Sequence, residues 1–418
     1  MEMSVTTSLK DQIFLDRAPF VTNDNDGTLR IRKLDETLEL LWGLRESIGV
    51  SRVSEIGSQD WLNATVFNAV RPNADDCNLT VSAGKGMSAH AALISVLGEA
   101  FERYWAELQH TACKVWKRAE LEKIASDIPF LSYRDILRIR AADEVREQSV
   151  DWVSSVSLLT GRSAYVPVSL ILLPRGGIRY ERSADGIAAG NSLAEAALHG
   201  LLELIERDAM AFAHFCGNGY IIENDSLPEP FCEWQADLES RGINVVVVYA
   251  AGLAKVPCFE VILDDRRSCD PMMVCAGSGA HPLPEIALSR AFTEALQSRA
   301  CVISGMREDL DKNYTKIQDQ GYVRQRKRLR RYIDMLNRST YAEVPSHPLL
   351  NTASGMLEQF CNELGALGHE VYLCPLTPLD LPIQVASVLA TGLESITHGN
   401  RIVGPRLARA LLNVRQHR

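Results

Sequence analysis

The stretch HGLLELIERD, residues 199–208, decides how the rest of the chain is read. Counted from His199, Glu203 falls at i+4 and Glu206 at i+7, with Arg207 beside it. Positions i, i+4 and i+7 share one face of a 3.6-residue helix. The pattern returns twice. SVLGEAFERY (95–104) supplies Ser95, Glu99, Glu102 and Arg103, and RAFTEALQSR (290–299) supplies Arg290, Glu294, Gln297 and Arg299. Three helices therefore each carry a carboxylate and a second polar acceptor in line.

Leu93, Val96, Leu97 and Phe101 surround the first pair, and Leu198, Leu201, Leu202 and Ile205 the second. With apolar residues on most sides, the glutamates are expected to face an interior or a cleft. Buried carboxylates are costly unless paired or metal-bound. A single ExxER reads as a surface helix with Glu paired to Arg at i+4. Three copies in apolar helices read instead as a carboxylate cage around hard cations, with Arg103, Arg207 and Arg299 answering phosphates or balancing the acids.

A nucleotide fits such a cage, yet the standard loops are missing. Gly84-Lys85-Gly86 lacks the upstream glycine of a Walker loop, and Gly277-Ser278-Gly279 lacks the third glycine of GxGxxG. Each precedes a glutamate helix, so each is expected to be a strand-to-helix turn offering backbone amides to an anion. Gly190-Asn191-Ser192 takes the same place before the second helix. There Ser192 is a plausible N-cap, and Glu195 three residues on has capping-box spacing, a purely structural alternative for that acid. His199 shares the glutamate face. A satisfied structural histidine is preferred over a general base for it.

The 418-residue chain is 46% hydrophobic and 23% charged, with mean hydropathy −0.06. These are the values of a globule with a sizeable core. Its 44 Lys and Arg against 53 Asp and Glu leave a formal charge of −9, which argues against nonspecific nucleic-acid or membrane binding. No window reaches 18 uninterrupted apolar residues, and the N-terminus lacks the basic and apolar regions of a secretory signal. Ten scattered cysteines without a CxxC pair read as reduced thiols, so a cytoplasmic location is expected. Neither HExxH nor a Cys/His cluster suggests zinc.

Strands are expected at 66–70, 79–81, 245–249, 259–263, 272–275, 371–374 and 383–388, with a hairpin over 150–174. Helices are expected at 35–45, 88–109, 192–215, 283–302, 355–367 and 405–412, and a charged helical excursion over 307–338. Residues 186–190 read as a loop and 23–27 as a turn. Strands and helices mix without strict alternation, which predicts an α+β fold. The expected organisation is an irregular segment 1–28, one large domain 29–400 (an N-terminal part 29–75, a core 76–305 and a C-terminal part 306–400), and a short tail 401–418.

Taken in order, SAGKGMSAHAALISVLGEAFERYWAE, DGIAAGNSLAEAALHGLLELIERDA and GSGAHPLPEIALSRAFTEALQSR resemble the YcaO family over residues 29–400. The resemblance implies an ATP- and Mg2+-dependent enzyme that phosphorylates a backbone amide oxygen of a ribosomally made peptide. A neighbouring Cys, Ser or Thr then gives an azoline, or an external sulfide a thioamide. Carried over by residue, Glu99 and Glu102 match the first metal-binding pair. Glu195, Glu203 and Glu206 match the second acidic helix, with Arg207 its partner, and Glu294 and Gln297 match the third element. Metal ligands are then expected among Glu99, Glu102, Glu195, Glu203, Glu206 and Glu294, and catalytic roles for Glu203, Glu206, Arg207 and Gln297. Nucleotide contacts are expected from Arg30, Thr37, Lys85, Ser95, Glu195, Arg290 and Arg299. For Arg30 and Thr37 the plain alternatives are a surface strand residue and an ordinary helix start.

Azoline-forming members commonly end in a PxPxP tail, whereas this chain ends LLNVRQHR. The resemblance therefore leans towards thioamide formation with a TfuA-like partner, although the FERY of 101–104 looks more like azoline-forming members, whose partner would be an E1-like leader-binding protein. A homodimer is expected from the family. The alternative from another class is an accessory protein that assists a modifying enzyme such as a methylthiotransferase. The basic run Arg324 to Arg331 reads as a solvated helix face, and no nucleic-acid or membrane partner is expected.

Overall fold

In the computed structural model the described residues are 8–22, 28–76, 78–124, 127–138, 150–173, 184–395 and 403–416, with the side chains of 124, 309–314 and 415–416 excepted. The turn expected at 23–27 lies outside them. Three strand-then-helix units organise the rest: β1 (Val81–Lys85) with α1 (Ala89–Ala106), β2 (Ile187–Gly190) with α2 (Leu193–Cys216), and β3 (Val274–Ala280) with α3 (Pro284–Ser304). The helix starts follow from local chemistry. Ser88 Oγ accepts from the Ala91 amide and Ser192 Oγ from the Glu195 amide, both at 3.2 Å, while Pro284 supplies a preset φ at the first position of α3. Gly217 and Gly305 close α2 and α3 in the left-handed region, at φ 70° and 62°.

Each of the three strands is the edge of a different sheet. β1 pairs antiparallel with Val66–Val70, which pairs with Arg52–Glu55. β2 pairs with Gln384–Ala390, followed by Val371–Pro375, Asp151–Ser157 and Val115–Lys117, with Ser163–Pro167 returning on Asp151–Ser157 as the expected hairpin. β3 pairs with Pro257–Asp265, then Ile243–Ala251 and Tyr220–Ile222, with Asn337–Ser339 added in parallel. Each glutamate helix also roots in its own core. Val96, Leu97 and Phe101 of α1 pack with Val153, Val166 and Val385. Leu201, Leu202 and Ile205 of α2 pack with Met356, Leu357 and Phe360 of the helix Ala353–Ala366. Leu288, Ala291 and Phe292 of α3 pack with Val245, Val247 and Val261.

The mixed helix-and-sheet architecture agrees with the expected class. The glycine motifs are where expectation and structure part. Gly84, Gly190, Gly277 and Gly279 are strand residues rather than turns. A Cβ on Gly84 would sit 2.1 Å from the Val96 nitrogen, one on Gly190 2.4 Å from that of Ala196, and one on Gly277 2.1 Å from that of Ala295. These glycines let each helix lie directly against its strand, so they serve packing and not an anion. Elsewhere the strand expected to continue through 170–173 gives way to a single 3-10 turn at Val168–Leu170. The excursion at 307–338 divides at Gly321 into the helices Glu308–Gln320 and Tyr322–Ile333. Among the described residues no helix is long and apolar enough to cross a membrane.

Beyond its own strand, each glutamate helix touches the next unit's strand: α1 lies against β2, α2 against β3 and α3 against β1. The three units therefore close on one another around a common centre.

Candidate active site

A cavity of about 580 Å³ occupies that centre. Its lining follows from helical phase. Glu99, Glu203 and Glu294 each stand eleven residues after the N-cap residue of their helix, and Glu102, Glu206 and Gln297 fourteen after it. Ser95, His199 and Arg290 stand seven after it. All nine line the cavity, as do Arg103 and Arg207 at the fifteenth position. Arg299 stands one residue further on, and a step of 100° carries it off the shared face. It is 3% exposed and bound to Asp60 (2.6 Å) and Asp265 (2.8 Å), away from the cavity lining, which corrects its expected place at the nucleotide.

The acids are anchored one at a time. Glu99 accepts from the Ala83 amide (3.1 Å) and from Arg103 (2.8 Å). Glu102 accepts from the Ala189 amide at 2.7 Å, and Glu203 from the Gly186 amide at 3.0 Å. Ser278 Oγ donates to Glu206 at 2.6 Å, and Lys85 Nζ lies 2.6 Å from Glu294. Ala189, Ser278 and Lys85 lie on the neighbouring unit's strand, each just before a glycine whose Cβ would meet helix backbone: Gly190, Gly279 and Gly86. The contacts Glu102 to Ala189, Glu206 to Ser278 and Glu294 to Lys85 thus repeat the cyclic order of the fold. Arg207 gathers Glu203 (3.2 Å), Glu206 (3.1 Å) and Asp185 (3.2 Å).

Arg30 and Thr37 reach the same cavity from the N-terminal segment. Arg30 contacts Glu195 at 3.3 Å and also His199, and the Ile31 amide donates to Glu195 at 2.9 Å. Thr37 Oγ1 donates to Asn191 Oδ1 at 3.1 Å. Glu195 makes only half of a capping box. Its amide is capped by Ser192, but its carboxylate accepts from the Asn191 amide (3.1 Å) and Arg30 instead of turning back to Ser192. The sequence names Asn191 and Ser278 only as members of glycine-flanked turns and gives no sign of Asp185. Each is a single polar residue in a loop or strand with no periodicity to mark it. The usable signal was position, since Ser278 precedes a packing glycine as Lys85 does.

Burial raises the Glu102 carboxyl to about 8, with Glu99 and Glu203 adding repulsion against the Ala189 amide. Burial likewise lifts Glu203 to about 7; Arg207 opposes, and Asp185 and Glu206 push further up. For Glu294 burial also works upward, but Lys85, Arg207 and Arg290 outweigh it and the group is more acidic than usual. Burial, Arg30 and Arg290 hold His199 neutral; burial, Arg290 and Arg30 push His281 down to about 3. Among the described residues no three His, Cys, Asp or Glu already stand at the spacing that holds one ion. Among the described residues, Glu102, Glu206 and Glu294 each keep one carboxylate oxygen that accepts no hydrogen bond. Hard carboxylate oxygens crowded together, and cations from Arg30 and Arg290, fit Mg2+ and an anionic phosphate chain.

The family model for the YcaO cyclodehydratase, described as ATP- and Mg2+-binding, matches residues 83–394. A protein of Rhizobium leguminosarum bv. trifolii, described as an uncharacterized protein in the tfuA 3' region, is 30% identical over 370 residues, covering 85% of this chain and 86% of that one. The structure of YcaO from Methanopyrus kandleri, bound with AMPPCP and Mg2+, superposes with a TM-score of 0.71 at 20% identity, covering 90% of this chain and 95% of that one. A heterocyclase in complex with substrate and cofactor superposes with a TM-score of 0.70 at 20% identity, covering 95% of this chain and 57% of that one.

Proposed function

This chain belongs to the YcaO family, and from that premise we propose an ATP- and Mg2+-dependent enzyme that activates a backbone amide of a ribosomally made peptide by O-phosphorylation, with thioamide formation favoured over cyclodehydration. The observation that carries this reading is one cavity into which three helices bring acids with free oxygens beside basic groups. Glu102, Glu206 and Glu294, seconded by Glu99, Glu203 and Glu195, would hold Mg2+, which when bound neutralises the triphosphate charge. Arg30, Thr37, Lys85, Ser95 and Arg290 are assigned to the nucleotide.

The reaction needs positioning and charge neutralisation more than a covalent enzyme group. The γ-phosphoryl of ATP passes to the amide oxygen and ADP leaves. Sulfide bonds to the amide carbon, the carbon–oxygen bond breaks, and phosphate departs with the former amide oxygen. Arg207 keeps Glu203 and Glu206 aligned during these steps. Gln297, uncharged where the other two helices carry glutamate, orients without adding repulsion. The relative from the tfuA 3' region supports a TfuA-like protein as the sulfur-delivering partner. The cysteines among the described residues form no disulfide, which suits the cytoplasm.

Co-expression of chain, partner and precursor peptide tests the product. A gain of about 16 Da, oxygen to sulfur, is expected, and a loss of about 18 Da, one water, would assign cyclodehydration instead.

A further inference from the structure

The helix Tyr322–Ile333 carries six cations and no anion. Its inner side is fully used. Arg326 binds Asp264 with two hydrogen bonds of 3.1 and 2.8 Å, Tyr332 donates to Glu260 at 3.0 Å, and Leu329 and Ile333 pack on the core. Its outer side is a stripe at i, i+3, i+4 and i+7: Arg324, Lys327, Arg328 and Arg331, all exposed. Among the described residues none of the four makes an ion pair or a side-chain hydrogen bond. Two arginines elsewhere pair one turn away, half-buried Arg118 with Glu122 at 3.0 Å and Arg241, just past its helix, with Asp237 at 2.9 Å. Like charges at this spacing destabilise a helix, so four unpaired cations in one stripe carry a local cost that an acidic segment laid along them relieves.

We propose that this stripe docks an acidic segment of a partner protein. Three of the four cations are arginines, whose planar forks match carboxylates two-to-two. A long nucleic acid would feel the whole chain at −9, whereas a short acidic segment feels only charges within a Debye length of about 8 Å. Val323, 79% exposed at the head of the stripe, adds an apolar contact of the kind a protein surface meets. None of these residues lines the central cavity, so the bound segment is separate from the amide being modified.

The test is binding of a fluorescent deca-glutamate peptide to the full chain at moderate salt, beside a single-stranded oligothymidylate of similar length. The comparison protein is the fourfold variant Arg324→Glu, Lys327→Glu, Arg328→Glu, Arg331→Glu, which leaves the inner face untouched. Circular dichroism and melting confirm that it folds, and Arg324→Gln with Arg328→Gln serves as the milder pair if it does not. Summed over four exposed charges, roughly a tenfold or greater loss of peptide affinity is expected in the fourfold variant. Equal affinity in wild type and variant overturns the proposal. So does tighter, stripe-dependent binding of the oligonucleotide, or a stripe-dependent self-association in sedimentation that excludes the peptide.

Discussion

Arg207 is the residue on which most of the site depends, because three carboxylates and Ser278 Oγ (3.1 Å) meet on its guanidinium. Asp185→Asn removes one of its anchors while leaving Glu203 and Glu206 in place. A drop in kcat with little change in KM for ATP is expected, measured by phosphate release in the presence of peptide. Arg299→Met gives the opposite signature. It strands Asp60 and Asp265 without their cation, so stability should fall by about 3–5 kcal/mol in urea titration while KM for ATP in the folded fraction stays the same. The acidity of Glu102 and Glu203 adds a pH dependence. Between the ordinary value of 4.5 and about 8, folded chain retains protons that unfolded chain has lost, so metal-free protein should lose stability as pH rises through that window. Its melting temperature should be lower at the alkaline end, and the slope shallower in Glu102→Gln. Most of these residues were legible in the sequence because helical spacing exposes a face. Arg299 stands off the cavity because its register is one residue from that of Arg103 and Arg207, and Asp185 and the contact made by Ser278 are not legible because a lone polar residue outside a helix has no period.

At the scale of elements, the glycines were visible but their purpose was not. In sequence a Gly-rich run before a helix reads as a turn, since glycine weakens a strand. Here the missing side chain is what admits the helix backbone, a tertiary reason that no local propensity encodes. Gly277→Ala places a methyl against backbone that cannot retreat, and a destabilisation of about 3 kcal/mol or more is expected, read by urea unfolding. Gly43→Ala is the control. That glycine is exposed in the helix Leu34–Leu44 with open space around it, so the change should stabilise by roughly 0.5–1 kcal/mol. The three glutamate helices themselves were placed from sequence to within a few residues, because apolar periodicity and the Ser88 and Ser192 caps agree with the tertiary outcome.

For the whole molecule, the formal charge of −9 separates into places with different consequences. Part of the acid excess lies around the central cavity, where the proposed function has it answer a cation and a phosphate chain. Part of the base lies on the outer stripe, where it is free to meet another protein. The mixed architecture could be read from composition and patterning, but the cyclic closure of three units could not, since it depends on which strand ends as the edge of which sheet. The central claim is that the cavity transfers phosphate to an amide oxygen. It is tested most directly by supplying ATP and a substrate peptide whose backbone carbonyls carry heavy oxygen, then weighing the phosphate released. The account predicts that phosphate carries the heavy oxygen in step with peptide modification, and that both vanish in Glu206→Gln. Modified peptide accompanied by phosphate of ordinary mass would contradict it.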